Sequence, residues 1–252
     1  EIIEVDIRAP KGTMDILPPE SERWRILQER GTSLFELYGY REIILPVMEY
    51  TEVFARGIGE STDIVQKEMF TFEDKGGRSL TLRPEATAGV ARAFVQHHLE
   101  TEGLPVKLYY QGPMFRHERP QAGRYRQFRQ LGVELIGSEN PSADAEVIIL
   151  CQRFLASLDL NVGLVINSVG DERCRPDYIQ ALKGYLESRQ KELCDDCRRR
   201  MEENPLRVLD CKREGCGRVI RDAPSLQEFL CRECKEHLLE VEELLAASGL
   251  EF

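Results

Sequence analysis

Arg116, Arg119, Arg124, Arg126 and Arg129 crowd a single stretch of the chain, Phe115 to Glu134. The planar fork of arginine donates two parallel hydrogen bonds to phosphate or carboxylate, so this density of guanidiniums points to a polyanionic ligand. Pro120 and Gly123 mark a loop, and the segments on either side, Leu108 to Glu118 and Arg126 to Ile136, read as extended, which makes the stretch an antiparallel hairpin. The competing reading is a solvated basic hairpin balanced by neighbouring acids. On the returning strand Gln130 and Glu134 lie four apart, and the two-residue alternation of a strand turns both to one face. One face can line one pocket.

A second set of reactive side chains lies further on. Six of the eight cysteines form three pairs, Cys194-x2-Cys197, Cys211-x4-Cys216 and Cys231-x2-Cys234. Pairs separated by two residues have the spacing of tetrahedral zinc held by thiolates. Cys194, Cys197, Cys231 and Cys234 make the best ligand set, with Cys211, Cys216 and His237 as alternates. The alternative is that all are free thiols. Such a zinc would be structural.

These residues need elements to position them. Pro18-Pro19-Glu20-Ser21 opens a helix to about Leu37, with Trp24, Leu27, Leu34, Phe35 and Leu37 as its apolar face. A short strand from Glu42 to Leu45 then meets Pro46. Gly57 to Asp63 reads as a flexible polar loop. Glu68 to Phe72 and Ser79 to Leu82 read as a hairpin over Asp74-Lys75-Gly76-Gly77. Arg83-Pro84-Glu85-Ala86-Thr87 sits where that hairpin ends and a helix from Ala86 to Leu99 begins. On local grounds Glu85 is a favourable helix-start charge. After the arginine hairpin, Pro141 to Leu158 reads as a helix with Val147, Leu150, Cys151, Phe154 and Leu155 buried, and Val162 to Asn167 as a strand. From Asp171 to about Ser248 the chain turns strongly charged and helical, with helices at Tyr178 to Arg189 and Leu226 to Ala247.

Phe115-Arg116-His117-Glu118-Arg119, a loop, then Gly123-Arg124-Tyr125-Arg126-Gln127-Phe128 resembles motif 2 of class II aminoacyl-tRNA synthetases, in the form found in the histidyl-tRNA synthetase family. Ala9-Pro10-Lys11-Gly12-Thr13-Met14-Asp15-Ile16-Leu17-Pro18, Thr81-Leu82-Arg83-Pro84-Glu85-Ala86-Thr87 and Asn167-Ser168-Val169-Gly170 are similar to other segments of that family, in the family's order. The resemblance implies an α+β fold: a class II synthetase-like antiparallel sheet flanked by helices, with a second, mainly helical insertion domain. It places the catalytic core with motifs 1 and 2 at residues 1–170, the cysteine-rich insertion at 171–248, and the start of a return to the core at 249–252. Motif 1 would be the first helix, the strand after it and Pro46, and would make a homodimer interface.

What the resemblance implies about chemistry is ATP-dependent activation of histidine and its transfer to tRNA(His), with ATP entering together with Mg2+. Arg116 would contact the α-phosphate and is the catalytic candidate. Glu118 would lie near adenine and Arg124 near the γ-phosphate. Glu85 would receive the ammonium of histidine and Thr87 would add a hydroxyl contact. Gln130 would hold the amino or carboxyl end, and Glu134 would accept from an imidazole N–H; the local alternative is that Glu134 pairs with one of the arginines. No segment up to Phe252 resembles the family's Arg-Gly-Leu-Asp-Tyr-Tyr stretch, motif 3 or anticodon-binding domain, so the expectation is a fragment of a longer enzyme, inactive alone. The alternative is the non-catalytic, synthetase-like regulatory subunit of ATP phosphoribosyltransferase in histidine biosynthesis. That relative is free to lose motif 2 and the histidine-site residues, whereas Glu85, Thr87, Arg116, Glu118, Arg124, Gln130 and Glu134 all stand here.

Composition narrows the classes further. The 252 residues allow one large domain or two smaller ones, and 42% hydrophobic with 31% charged residues describes a soluble globular chain. No run approaches the roughly 18 apolar residues of a membrane span. Glu-Ile-Ile-Glu at the start lacks the basic and apolar regions of a signal peptide, so the expected location is the cytoplasm. A net charge of −10 argues against indiscriminate nucleic-acid binding while allowing a local basic site.

Overall fold

The structure, a computed structural model, describes residues 7–58, 65, 68–118, 121 and 123–252. Arg119, Pro120 and residues 59–63 of the expected polar loop lie outside the described residues. The chain forms two compact units: one takes in the chain up to Glu139 with Glu146–Val162, the other Asn140–Ala145 with Gly163–Phe252.

In the first unit, helix α1 (Glu20–Leu37) starts behind Pro19, with Glu20 and Glu22 in its first turn, where the free N–H groups favour negative charge. Its buried edge carries Phe35, which packs against the rings of Tyr109 and Phe154 at 5.6 and 5.9 Å. Leu37, expected on that face, is 79% exposed. Two three-stranded sheets follow. The first has the order β1 (Arg41–Glu42), β5 (Val106–Phe115), β6 (Gln127–Ile136), with β5 and β6 antiparallel over their whole length and β1 parallel to β5. The second, wholly antiparallel, has the order β2 (Met48–Tyr50), β4 (Ser79–Leu82), β3 (Phe70–Glu73). Helix α2 (Thr51–Ile58) covers Gly57, the first residue of the expected loop.

Arg83 ties these pieces together. It is 6% exposed, and its guanidinium donates to the carbonyls of Pro113 at 2.9 Å and Leu45 at 3.0 Å, while Phe115 N–H returns a bond to Arg83 O at 2.9 Å. A buried cation is tolerable only when its donors find acceptors, and carbonyls from the Leu45 segment and from β5 supply them. The end of β4 is thereby fixed against β5 and the segment before β2. Helix α3 (Thr87–Gln96) then begins one residue beyond the expected start and buries Ala88, Val90 and Ala93. Helix α4 (Pro141–Ser157) buries Leu150.

Two expectations fail here. Cys151 is exposed rather than core, because neighbouring residues in a helix are turned about 100° apart and Leu150 takes the buried direction. Val162 to Asn167 is not a strand: the apolar alternation is present, but Val165 is 92% exposed and no strand pairs with the segment among the described residues. Alternation describes a strand only where an edge exists to bond it.

The second unit is helical: α5 (Arg175–Ser188), α6 (Asp195–Glu203), α7 (Glu214–Arg221) and α8 (Arg232–Ala247), with short 3-10 turns between them. Tyr178, Leu182 and Leu186, four apart on one face of α5, pack with Leu193, Met201, Val208 and Val219. The single helix expected over Leu226 to Ala247 is divided into a 3-10 turn, Leu226–Phe229, and α8, because Leu230 and Cys231 leave the helical backbone region.

Candidate active site

The β5–β6 hairpin presents one face built from Gln130 and Glu134 on β6, as the strand alternation requires. Opposite them across the ladder stand Gly112 and Leu108. Between them Tyr110 is paired with Gly132, and the phenol lies so close over Gly132 that no side chain fits there. The missing Cβ makes room for the ring between the two polar residues.

At this face the first residue of α3 and the loop before it deliver two more of the expected residues. Thr87 donates its hydroxyl to Glu134 Oε1 at 2.7 Å. The N–H groups of Thr87 and Ala88 donate to the two oxygens of Glu85, at 2.6 and 3.0 Å. Glu85 is therefore a helix-start acceptor, as its local sequence implies, and it also stands beside a second carboxylate. Burial raises the pKa of Glu134 above the ordinary glutamate range; the Thr87 bond lowers it, and the charge of Glu85 adds to the rise. The Tyr110 phenol is likewise pushed up, first by burial and then by the charge of Glu134. Two carboxylates in a half-buried position create a field that favours a cation. Gln130 adds a buried Oε1 with no hydrogen-bond partner among the described residues. A buried polar atom without a partner costs free energy, and a ligand N–H would satisfy it.

The arginines divide into different environments. Arg116 donates its Nε to the carbonyl of Pro84 at 2.9 Å and stacks over Phe128 at 5.2 Å, which fixes the guanidinium plane. No bond from its terminal nitrogens appears among the described residues. Its partner carbonyl precedes Glu85, so the hairpin and the carboxylate pair share one loop. Arg124 and Glu118 pair with each other at 3.1 Å, the acid-balanced arrangement of the competing reading. Arg126 bonds through its backbone N–H to Gly12 O at 2.7 Å, joining the Ala9 to Pro18 segment to the hairpin. Arg129 lies over Trp24 at 6.0 Å.

The structure thus brings Glu85, Thr87 and Glu134 together and places Gln130 on the same face as Glu134. Tyr110 was missed from sequence, where it reads as one more apolar strand residue. The signal for it is Gly132, a glycine in the middle of a strand, which marks close approach by another group. The proposed zinc ligands do not form one group. Cys194 and Cys197 lie with Cys211 and Cys216, whereas Cys231 and Cys234 lie with Cys174 and Asp171. Spacing identifies each pair but cannot say which pairs meet. His237 has Nε2 2.7 Å from an Asp144 oxygen and is in neither group.

An antiparallel hairpin of this kind, flanked by helices and carrying an arginine loop beside a carboxylate-lined face, has the class II synthetase fold. Comparison with known proteins agrees. A sequence model of histidyl-tRNA synthetases matches residues 12–200. The histidine–tRNA ligase of Halothermothrix orenii is 53% identical over 98% of this chain, and that of Moorella thermoacetica 54% identical over 96%. The crystal structure of apo histidyl-tRNA synthetase from S. aureus superposes with a TM-score of 0.75 at 40% identity, covering 98% of this chain and 56% of that one. A Bacillus halodurans structure described as an ATP phosphoribosyltransferase regulatory subunit/histidyl-tRNA synthetase is more distant, with a TM-score of 0.63 at 25% identity, covering 97% of this chain and 66% of that one. The chain belongs to the histidyl-tRNA synthetase family. It spans 59% and 58% of the two ligases' lengths.

Proposed function

We propose that this chain supplies the histidine-recognising face and part of the ATP-binding face of an enzyme that charges tRNA(His) with histidine. The observation that carries the reading is the convergence of Glu85, Thr87 and Glu134 on the sheet face that also carries Gln130, whose buried Oε1 has no hydrogen-bond partner among the described residues. Histidine presents an ammonium and an imidazole N–H, and two carboxylates with a carbonyl acceptor suit both. Glu85 receives the ammonium, using lone pairs left over from its two backbone bonds. Glu134 accepts from the imidazole, steadied by Thr87, and Gln130 contacts the amino or carboxyl end. A site built on such bonds discriminates strongly, because an analogue that lacks a donor leaves buried acceptors unpaired.

In activation, an oxygen of the histidine carboxylate forms a bond to the α-phosphorus of ATP, and the bond to the bridging oxygen breaks, so that pyrophosphate leaves with the electron pair. Mg2+ bound to ATP neutralises part of the phosphate charge. No side chain acts as nucleophile, so the protein's contribution is alignment and charge stabilisation. Arg116, held in plane by Pro84 O and Phe128, donates to the α-phosphate oxygens. Glu118 lies toward adenine and Arg124 toward the γ-phosphate once ATP separates their mutual pair. In the second step a terminal ribose hydroxyl of tRNA attacks the acyl carbon, loses its proton, and AMP departs.

The enzyme acts as a homodimer in the cytoplasm. Support for the dimer is a run of exposed apolar residues from the end of α1 through β2: Leu37, Ile44, Val47, Met48 and Tyr50. Among the described residues no helix is long and apolar enough to cross a membrane. The residues at 171–248 form the insertion of the family. The complete set of Glu85, Thr87, Arg116, Gln130 and Glu134 favours the ligase over a regulatory subunit.

The test is histidine-dependent pyrophosphate exchange in a polypeptide of the relatives' full length. Arg116→Ala is expected to slow exchange by about 100-fold or more, the scale for losing one preorganised donor. Glu134→Ala is expected to act through the KM for histidine and to leave that for ATP nearly unchanged. Exchange indifferent to Arg116→Ala would leave the hairpin as a solvated basic face.

A further inference from the structure

The sulfurs of the second unit stand apart from this chemistry. Sγ of Cys194, Cys197, Cys211 and Cys216 all lie within 4.8 Å of one another, and so do Sγ of Cys174, Cys231 and Cys234 with a carboxylate oxygen of Asp171. We propose that these are two separate tetrahedral zinc sites, a four-thiolate site and a three-thiolate, one-carboxylate site, which together hold the second unit in its fold.

Geometry separates a metal centre from the alternatives. Zinc–sulfur bonds of about 2.3 Å around a tetrahedron put the sulfurs about 3.8 Å apart. Cys174 and Cys234 have their sulfurs 4.0 Å apart. A disulfide would join sulfurs in pairs at about 2.05 Å, whereas here each of four ligand atoms is near the other three. A central ion is what gives four mutually near neighbours a common purpose. A sulfur-rich tetrahedron selects zinc or iron rather than harder cations.

The backbone prepares both groups to be thiolates. Cys194 precedes the first residue of α6 and Cys197 lies in its first turn, while Cys216 lies in the first turn of α7. In the other group Cys174 precedes α5, Cys231 precedes α8 and Cys234 lies in the first turn of α8. Helix amino ends lower the cost of negative sulfur. Backbone N–H groups also point at the sulfurs: Cys194 N to Cys216 Sγ at 3.3 Å, Asp171 N to Cys174 Sγ at 3.2 Å and Cys234 N to Cys231 Sγ at 3.5 Å. Outer bonds of this kind orient metal ligands and offset their charge.

Asp171 completes the second set. Its Oδ1 accepts from the N–H groups of Arg173 and Cys174 at 2.9 and 3.1 Å, and its Oδ2 lies 3.8 Å from Cys231 Sγ and pairs with Arg173 at 2.7 Å. A zinc with three thiolates and one carboxylate carries a net charge of −2, and the Arg173 guanidinium is its immediate counterion. The first set is half inside the apolar core: Cys197 is fully buried and Cys216 is 1% exposed, among Leu193, Met201, Val208 and Val219, while Cys194 and Cys211 are partly buried against it. A helical unit this small gains little from its core alone, and metal cross-links are a common remedy.

The experiment uses the 252-residue chain, purified without chelator, and counts metal by elemental analysis. Two zinc per chain is expected. One zinc, none, or iron in its place overturns the proposal, and this count needs no variant. Cys211→Ser and Cys231→Ser are each expected to leave one zinc, and Cys151→Ser to leave two. If either Cys211→Ser or Cys231→Ser releases both ions from a chain that keeps its helical circular dichroism, the division into two sites is wrong. Should a serine variant unfold, Asp171→Asn decides, because the carboxamide oxygen keeps the capping bonds. In chelator competition it is expected to weaken one zinc by at least about tenfold and leave the other unchanged. Two unaltered zincs in Asp171→Asn overturn the carboxylate's place in the second site.

Discussion

Thr87 hydrogen-bonds in two directions at once: its hydroxyl reaches Glu134 Oε1 at 2.7 Å and its backbone N–H is taken by Glu85 Oε2 at 2.6 Å. The first residue of α3 therefore holds one carboxylate on the sheet and is itself capped by the other. Thr87→Val keeps the shape and removes only the hydroxyl. It is expected to raise the histidine KM in the full-length polypeptide, with Thr87→Ser restoring it, and to cost about 1 kcal/mol of stability for the lost bond. A histidine KM unchanged in Thr87→Val would mean that the hydroxyl does not position Glu134.

Glu85 has two separable duties, capping and charge. Glu85→Gln keeps an oxygen for the N–H groups of Thr87 and Ala88 and removes the negative charge, whereas Glu85→Ala removes both. Thermal unfolding should therefore show a loss of about 1 kcal/mol for the alanine variant and much less for glutamine. Histidine affinity should fall in both, because an ammonium prefers a carboxylate to a carboxamide. Normal histidine binding by Glu85→Gln would restrict Glu85 to its structural duty.

The environment of Glu134 makes stability depend on pH in a definite direction. Its pKa is raised in the folded state by burial, with help from Glu85. A raised carboxyl binds more protons folded than unfolded, so its contribution is most favourable below the ordinary value of 4.5 and is lost as pH rises through the folded-state value. Glu134→Gln removes this titration. It is expected to raise the Tm of the first unit at neutral pH relative to the parent and to flatten the dependence above about pH 4.5. A lower neutral-pH Tm in Glu134→Gln would show that the carboxylate is better compensated than its burial implies.

Arg83 carries a prediction of the opposite kind, in which a charged residue is structural. Its bond to the Leu45 carbonyl is buried and that to the Pro113 carbonyl half-buried, and Gly112 is directly against the guanidinium, so that a Cβ there would collide with Nη2. Arg83→Met is expected to cost about 2 to 3 kcal/mol, the loss of charge-assisted bonds with carbonyls left unpaired. Gly112→Ala should also destabilise, by displacing the same group, and the two effects should not add. Denaturant unfolding of the single and double variants measures this. Simple additivity would place the cost at Gly112 elsewhere.

Local chemistry in the sequence reached as far as local chemistry could. The Asp74 to Gly77 turn, the helix behind Pro18-Pro19 and the shared face of Gln130 and Glu134 depend on a few neighbouring residues, and they formed as expected. Long-range facts were not legible. Nothing near Val162 reveals that no strand will pair with it, and nothing near Cys174 reveals that it meets Cys234. Tyr110 shows the same limit, since its role follows from standing opposite Gly132 across the hairpin. The roles proposed for Glu85, Arg116 and Glu134 came from resemblance to a family, and spacing alone left each with a structural alternative.

The exposed apolar residues from the end of α1 onward give a last prediction, about assembly. Ile44 is 86% exposed and Leu37 79%, and Met48 and Tyr50 are each half exposed. Scattered exposed apolar residues are ordinary, but five within fourteen positions, Leu37 to Tyr50 with Val47 among them, form a concentration of the kind that marks an interface. A lysine at the centre of such a contact would bury an unpaired charge. Ile44→Lys is therefore expected to weaken self-association by at least about 100-fold, the effect of an energetically central residue, as measured by sedimentation of the full-length polypeptide over a range of concentrations. Val165 serves as the control: it is 92% exposed and lies in the second unit, so Val165→Lys should leave association unchanged. If Ile44→Lys sediments like the parent while retaining its fold, these residues do not form a self-association surface.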